Sequence, residues 1–583
     1  MEDFKHQVLQ EHQEDQESVL GDLGGLGVKN LPSSIHKFMA LPRCITLVGP
    51  SGSGITTIAK ELESMGYDII QPTLLETLKD DAQRKDLHAY IPKIWDALDQ
   101  GIAPEKLGEY AKTLCQEAQK CQGNITIFLH SAIPMLTKRQ EESRLKTRLS
   151  LEYNLPHQQA LQIEQQVLQP FSEIAQIKLD TTHLSPLHAR RTINLLLNLR
   201  IPFETNSYEK LVDHLLSDFF GYFKDVPLTK EILSQLDAAR AFLNNQRVYR
   251  EALDAERIRA SNHTIFLMGE GSSLSALNGA AWLLHKGYRQ MLDVYRVPAS
   301  DLRFTDITDA IVLICSNSGN TAEIKQNIEE GYFDCAKLVI GITNYPDSVL
   351  GRYCAAKGVL FPLDVPAEES IAATVSFFKS FLTATAVLAC IGGMLGKPDV
   401  FDRVFEDATH LPELLREVFT QRRLNSIAYA AKKLAQGMVE SRHGYITSAG
   451  LLSDCLLAEA SLKAKELARV HLEPIFNSLF HGPLNPDVST AIYLEDPLVT
   501  MDAMKKHVDK LSLYIPTVAT FGAYDFGVPN VFIPQTTPIN SVALHLVTLQ
   551  LTYFLIGIEN GFSLEEIQHP IRLSKVVLES PLV

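Results

Sequence analysis

The sequence predicts an α/β protein of three doubly wound parallel-sheet domains. Short apolar, strand-like runs alternate with segments of helical periodicity along most of the chain. Glycine- and serine-rich turns follow directly on several of those runs, as at strand-to-helix junctions. The alternation also restarts twice after purely helical stretches. With 583 residues, 45% hydrophobic and 21% charged, the chain has the size and composition of a multi-domain globular protein.

Residues 1–40 are a polar, acidic lead followed by GDLGGLG; they read as a flexible extension with neither the basic start nor the apolar core of a signal peptide. The run CITLVGP (44–50) passes into SGSGITTIAKELESMG, a strand, a glycine-rich turn and a helix. ITIFLHS (125–131) and QIKLDTT (176–182) follow, the second leading to a helix that Ser185 caps and Pro186 starts. These place a P-loop NTPase-like domain at 41–207. Residues 208–261 are helical in pattern and read as a connector. From 262 to 400 the strands are TIFLMG, AIVLIC, KLVIGIT and GVLFPL; from 401 to 560 they are GYITS, STAIYL, IPTVATFG and NVFIP. Similar size and strand count suggest a duplication. A polar tail, 561–583, carries Lys575.

A net charge of −15 and a pI near 5.7 argue against nucleic acid as a partner. Eight scattered cysteines without a CxxC pair fit reduced thiols in a cytoplasmic protein, not a disulfide framework or a metal site. The two longest apolar runs contain Lys379 in one case and His545 and Gln550 in the other. Both read as buried helices, so no membrane partner is expected.

Three motifs carry chemistry. Gly49, Gly52, Gly54 and Thr56 fit the phosphate-loop pattern in strand context, but Ile55 stands where that pattern has lysine. Loop amides at a helix N-terminus can still hold a phosphate, so ATP or GTP is the ligand this loop would take. No other cofactor is required by the reading of the chain. SNSGNT (316–321) and GEGSS (269–273) lie at the ends of consecutive strands, where hydroxyls and amides make a phosphate cradle or, alternatively, ordinary capping turns. Glu459, Lys463 and Glu466 fall at i, i+4 and i+7 of a helical stretch beginning at Leu456. Acid, base and acid on one face suit proton transfer, and equally suit a solvated face with an ordinary i,i+4 pair.

GPSGSGITTIAKELESMGYD, with IEQQVLQPFSEIAQIKLDTTHLSPLHARRTI (163–193), resembles the N-terminal P-loop domain of the RNase adapter family, RapZ type, over most of 41–200. That family regulates production of glucosamine-6-phosphate synthase. Its C-terminal RNA-binding domain has no counterpart here. MGEGSS, CSNSGNTAE and EESIAAT (368–374) resemble the sugar isomerase (SIS) fold. EASLKAKELARVHLEP, FHGPL and IRLSKVVLE resemble the isomerase half of glucosamine-6-phosphate synthase and SIS-type glucosamine-6-phosphate deaminases.

By that resemblance, Ser273, Ser316, Asn317, Ser318, Thr321 and Ile371 would hold the sugar and its phosphate. Glu466 would move a proton between C1 and C2, with Glu459 and Lys463 in support. His481 would open the ring, and Lys575 would meet the carbonyl carbon from a closing tail. The sequence departs from the family at Asn317, where glutamine is usual, and at Val375, Phe480 and Ile571. The synthase's glutaminase domain is missing, since Glu2 stands where a processed cysteine would be. The resemblance therefore implies a glutamine-independent amino-sugar phosphate isomerase or deaminase, acting on glucosamine 6-phosphate or fructose 6-phosphate, and a homodimer. The alternative is a sugar-phosphate sensor that binds without turnover and signals to the nucleotide-binding-like domain.

Overall fold

The computed structural model describes the five strands of a first sheet, then residues 219–396, 399–438, 443–476 and 488–562, with a few isolated positions besides. The chain forms two compact units, Met1–Tyr208 and Glu209–Val583. In the first unit, β1 (Cys44–Val48), β2 (Asp68–Ile70), β3 (Ile125–His130), β4 (Ile177–Asp180) and β5 (Phe203–Thr205) form a parallel sheet of order β2-β1-β3-β4-β5.

The second unit contains two further sheets. One holds β6 (Thr264–Gly269), β7 (Asp293–Pro298), β8 (Ile311–Cys315), β9 (Leu338–Thr343) and β10 (Val359–Pro362), in the order β10-β9-β8-β6-β7. The other holds β11 (His443–Ser448), β12 (His471–Ile475), β13 (Thr490–Leu494), β14 (Thr517–Gly522) and β15 (Asn530–Phe532), in the order β12-β11-β13-β14-β15. Counted from each sheet's own first strand, all three share the order 2-1-3-4-5, and every pairing is parallel. The order reverses between the first and third strands, and their carboxyl ends open the crevice where such sheets bind ligands.

The central strands form because they are apolar on both faces. IVLIC of β8, LVIGIT of β9 and TAIYL of β13 are buried at every position, as helix-covered parallel strands must be. The strands that carry no clear apolar run in the sequence, β2, β5, β7 and β12, are all at sheet edges. Two of them expose alternate or successive residues, and β12 contains Pro474, which an edge tolerates.

The segment after the first unit folds into the second. Among its helices, α1 (Pro227–Leu233) and α2 (Gln235–Asn244) bury Ile232 and Phe242, and Phe242 stacks on Phe405 at 4.6 Å. The two long apolar helices, Val375–Met394 and Pro538–Glu559, are long enough to cross a membrane, yet they lie buried inside this fold. Burial also pushes the Cys315 and Cys390 thiols up to about 11 and Cys354 to about 12, so these cysteines stay protonated.

One buried carboxylate clamps the loop that follows β10. Glu231 of α1 is 6% exposed and accepts from the Glu369 N–H at 2.6 Å and the Ser370 N–H at 2.9 Å, with the Ser370 hydroxyl also against it. Burial raises its pKa to about 7; the Ser370 and Glu369 hydrogen bonds oppose the shift and Glu368 adds to it. A folded pKa above the ordinary 4.5 stabilises the fold fully below about pH 4.5, and that contribution is lost as pH rises through 7. Glu231→Gln, which cannot ionise, is therefore expected to gain stability relative to the wild type between pH 5 and pH 8. Parallel denaturant midpoints of the two proteins across that range would contradict this.

Candidate active site at the first switch point

The crevice of the middle sheet is built by two turns. The first leaves β6 and opens α3 (Gly271–Trp282) with Ser272 and Ser273 in its first turn. The second leaves β8 and runs from Ser316 to Thr321 ahead of α4 (Ala322–Glu329). Ser316 Oγ lies 2.8 Å from Thr321 Oγ1 and accepts the Gly319 N–H at 3.0 Å, while Ser318 Oγ accepts the Asn320 N–H at 3.2 Å.

Gly319 has φ +63, and a Cβ there would meet Ser348 Oγ at 2.0 Å, so only glycine closes this turn. Asn317 is tied through its carbonyl, which accepts from Thr343 Oγ1 at 3.1 Å and from Asn344 N at 3.0 Å. Ser273 reaches the Cys315 thiol at the end of β8. The half-buried Ile371 sits beside Ser370, inside the loop that Glu231 holds. Glu368 fixes the same loop by accepting from Thr374 N at 2.7 Å and Ser376 N at 3.1 Å.

The charged helix reaches this crevice from the last sheet. Helices α5 (Leu451–Cys455) and α6 (Leu457–Lys463) follow β11, and the chain continues as one π-helical turn, Ala464–Ala468. Arg469 closes it at φ 50 in the left-handed region. The regular helix expected through Glu466 is thus widened just before that residue; such π-turns recur at functional sites.

The helix face is not solvated. The side chains of Lys463 and Glu459 are 1% and 0% exposed, and that of Glu466 is 14% exposed. The Lys463 ammonium donates to Glu466 Oε2 at 2.6 Å and to Ser272 Oγ at 3.1 Å, and forms an ion pair with Glu459 Oε1 at 3.0 Å. Burial pulls Lys463 down, but Glu459 and Glu466 outweigh it and hold the ammonium above its ordinary range. Burial raises Glu459 against the pull of Lys463, and Glu466 adds to the rise.

The structure therefore joins Lys463, with Glu459 and Glu466, to Ser272 on the first turn, while Ser273 reaches Cys315, the residue before the second turn with Ser316, Ser318 and Thr321. Of the other expected site residues, His481 and Lys575 lie outside the described residues. So do Gly49, Gly52, Gly54 and Thr56, although the glycine-rich run begins directly after β1, a strand at which the first sheet reverses its order. The sequence pattern did not single out Ser272 or Glu231. Ser272 was visible only as part of a serine turn, and Glu231 only as a charge in a helical stretch.

The corresponding crevice of the last sheet is filled differently. Glu495 and Asp496 follow β13 where Ser316 and Asn317 follow β8, and Glu495 N donates to Phe521 O as Ser316 N does to Ile342 O. Asp496 is 1% exposed and accepts from Leu452 N at 2.6 Å and Leu498 N at 2.9 Å, so a carboxylate of the chain itself caps the first turn of α5.

Residues 43–199 match the RapZ-like N-terminal domain family. Relatives described as nucleotide-binding proteins come from Azotobacter vinelandii and from Pseudomonas aeruginosa strain LESB58. The first is 28% identical over 193 residues, covering 33% of this chain and 65% of the relative. The second is 29% identical over 194 residues, covering 33% and 64%. The chain thus spans under two thirds of the length of these relatives.

Among solved structures, this chain is similar to the C-terminal domain of glucosamine-fructose-6-phosphate aminotransferase from Francisella tularensis. The identity is 16%, over 58% of this chain and 97% of that one, with a TM-score of 0.48. It is also similar to tagatose-6-phosphate ketose/aldose isomerase from Escherichia coli, at 18% identity over 60% and 98% of the two chains, with a TM-score of 0.47. For glucosamine-6-phosphate deaminase from Thermotoga maritima the values are 18%, 58%, 97% and 0.42.

Removing Lys463 would leave two carboxylates facing each other in a buried site. Lys463→Met is expected to cost about 3–5 kcal/mol of stability. Combining it with Glu459→Gln should cost less than the sum of the two single changes. Strict additivity in a urea-unfolding double-mutant cycle would contradict the coupling.

Proposed function

We propose that the unit Glu209–Val583 acts on a phosphorylated amino sugar or hexose of the glucosamine 6-phosphate and fructose 6-phosphate class, as a glutamine-independent isomerase or deaminase. The observation that carries this reading is the buried Glu459–Lys463–Glu466 group, joined through Ser272 to the hydroxyl- and amide-lined turn at the switch point.

In this reading the turn Ser316–Thr321, with Ser273 and the Ile371 loop, holds the phosphate and sugar. Glu466, the most exposed of the three charged groups, is the base that carries a proton between C1 and C2. Lys463 is a fixed positive charge that orients it. His481 serves ring opening, and Lys575 forms an imine with the carbonyl carbon when the substrate carries or loses nitrogen, its amine attacking and water leaving. The active form is a homodimer.

A second reading, a sensor that binds a sugar phosphate without converting it, is favoured by Val375, Phe480 and Ile571, which stand where the resembled enzymes carry other residues. For the first unit we propose that the loop at Gly49, Gly52, Gly54 and Thr56 binds ATP or GTP without rapid hydrolysis. Ile55 removes the lysine that would neutralise charge in phosphoryl transfer.

The purified chain, incubated with glucosamine 6-phosphate, is expected to release fructose 6-phosphate and ammonia. Glu466→Gln is expected to slow this by about a hundred- to ten-thousand-fold. Unchanged turnover in that variant would overturn the role of Glu466. Calorimetric binding of the sugar phosphate with no product from the wild type would establish the sensor instead. For the loop, titration with ATP and with GTP should give binding heat without phosphate release, and the absence of heat from either nucleotide would refute it.

A further inference from the structure

The crevice of the last sheet holds a carboxylate oxygen that has no partner among the described residues. Glu495 is 5% exposed. Its Oε2 accepts the Tyr524 N–H at 3.0 Å and the Ala523 N–H also bonds the carboxylate, whereas Oε1 is buried and has no hydrogen-bond partner among the described residues. An unpartnered buried acceptor is costly, and the cost is larger for a carboxylate. Glu495 lines a cavity of about 20 Å³ with Asp496, Gly522, Tyr524, Ser541 and His545 among its walls. That space admits one or two molecules the size of water.

The pocket is built around this side chain. A Cβ on Gly522 would meet Glu495 Cδ at 2.1 Å, so the last residue of β14 must be glycine for Glu495 to fit. In the middle sheet the equivalent pair is Ser316 beside Thr343, the last residue of β9. Volume has moved from one strand to its neighbour and a charge has come with it.

The surrounding groups are already engaged. Both Asp496 oxygens accept from backbone N–H groups. The His545 nitrogens face Ser541 O at 2.8 Å and Phe521 O at 2.9 Å. Lys286 is held by Asp454 and by Gly450 O at 3.2 Å. The cavity's described lining includes no lysine or arginine. Among the described residues no three His, Cys, Asp or Glu side chains are placed to share a metal ion. A small cation that donates hydrogen bonds to oxygen would fit this oxygen and this space.

We propose that this cavity is a binding site for a small ammonium group, ammonium itself or a short primary amine, held by Glu495 Oε1. It lies at the switch point of the other sheet from Glu466 and stands whether or not the proposed reaction does.

The test is thermal unfolding of the full chain at pH 8, in ammonium chloride against sodium chloride at equal ionic strength. Ammonium is expected to raise Tm by about 2–4 °C over sodium. Glu495→Gln should abolish that increment. Equal Tm values in the two salts, or an increment that survives in the variant, would overturn the site, as would a cavity that holds water only. Should the variant fail to fold, NMR of the wild type in ¹⁵N-ammonium decides: exchange-protected ammonium protons support the site, and only free ammonium refutes it.

Discussion

The second unit depends on one ammonium group. Lys463 sits on a helix of the last sheet, and two of its partners, Glu459 and Glu466, are on the same run of chain; the third, Ser272, opens the first helix of the middle sheet. A reciprocal tie runs the other way, from Lys286 behind the first helix of the middle sheet to Asp454 and the Gly450 carbonyl at the start of the last sheet's helix. In both places a π-helical turn carries or follows the lysine: Leu283–Gly287 contains Lys286, and Ala464–Ala468 follows Lys463. The buried Lys463 pairs add little net stability against an apolar replacement, because desolvation offsets most of the attraction, and the Lys286–Asp454 pair is partly exposed. Their effect here is on geometry, fixing which turn of one sheet faces which helix of the other.

The two halves share a strand order and a pairing pattern but not an electrostatic character. After β8 the chain offers serine, asparagine and threonine; after β13 it offers two carboxylates, one of which caps a helix start that would otherwise attract an anion. One fold thus presents a phosphate-compatible crevice in one sheet and an anion-repelling crevice in the other. This is how a repeated architecture acquires distinct sites: function resides in the residues at the switch point, not in the strand order.

In the second unit the parts of the fold legible in the sequence are those that burial on both faces makes apolar, namely the central strands β6, β8, β9, β11, β13 and β14. The edge strands β7 and β12 leave several residues exposed, so DVYRVP and HLEPI leave no apolar run to find, and the short edge strands DII of β2 and FET of β5 offer only three residues each. The serine turns were legible because hydroxyl- and glycine-rich sequence directly follows a strand. What the sequence does not encode locally is burial: Glu459, Lys463 and Glu466 have the spacing of a solvated face, and only the packing of α3 against that helix turns the spacing into a dry, three-partner site. Glu231 and Ser272 depend on partners 139 and 191 residues away, beyond any local pattern.

The ionisation order inside the charged group constrains how it can work. Lys463 is held protonated by two carboxylates, so it is a poor proton donor and a good fixed charge. Glu459 is pushed toward the neutral form by burial and by Glu466, yet its side chain is fully enclosed, so a ligand cannot reach it. Glu466 alone combines contact with Lys463 and partial access from outside. The charged group thus has a single partly accessible member. Packing encloses the ammonium and one carboxylate and leaves the other carboxylate, that of Glu466, within reach of a molecule outside.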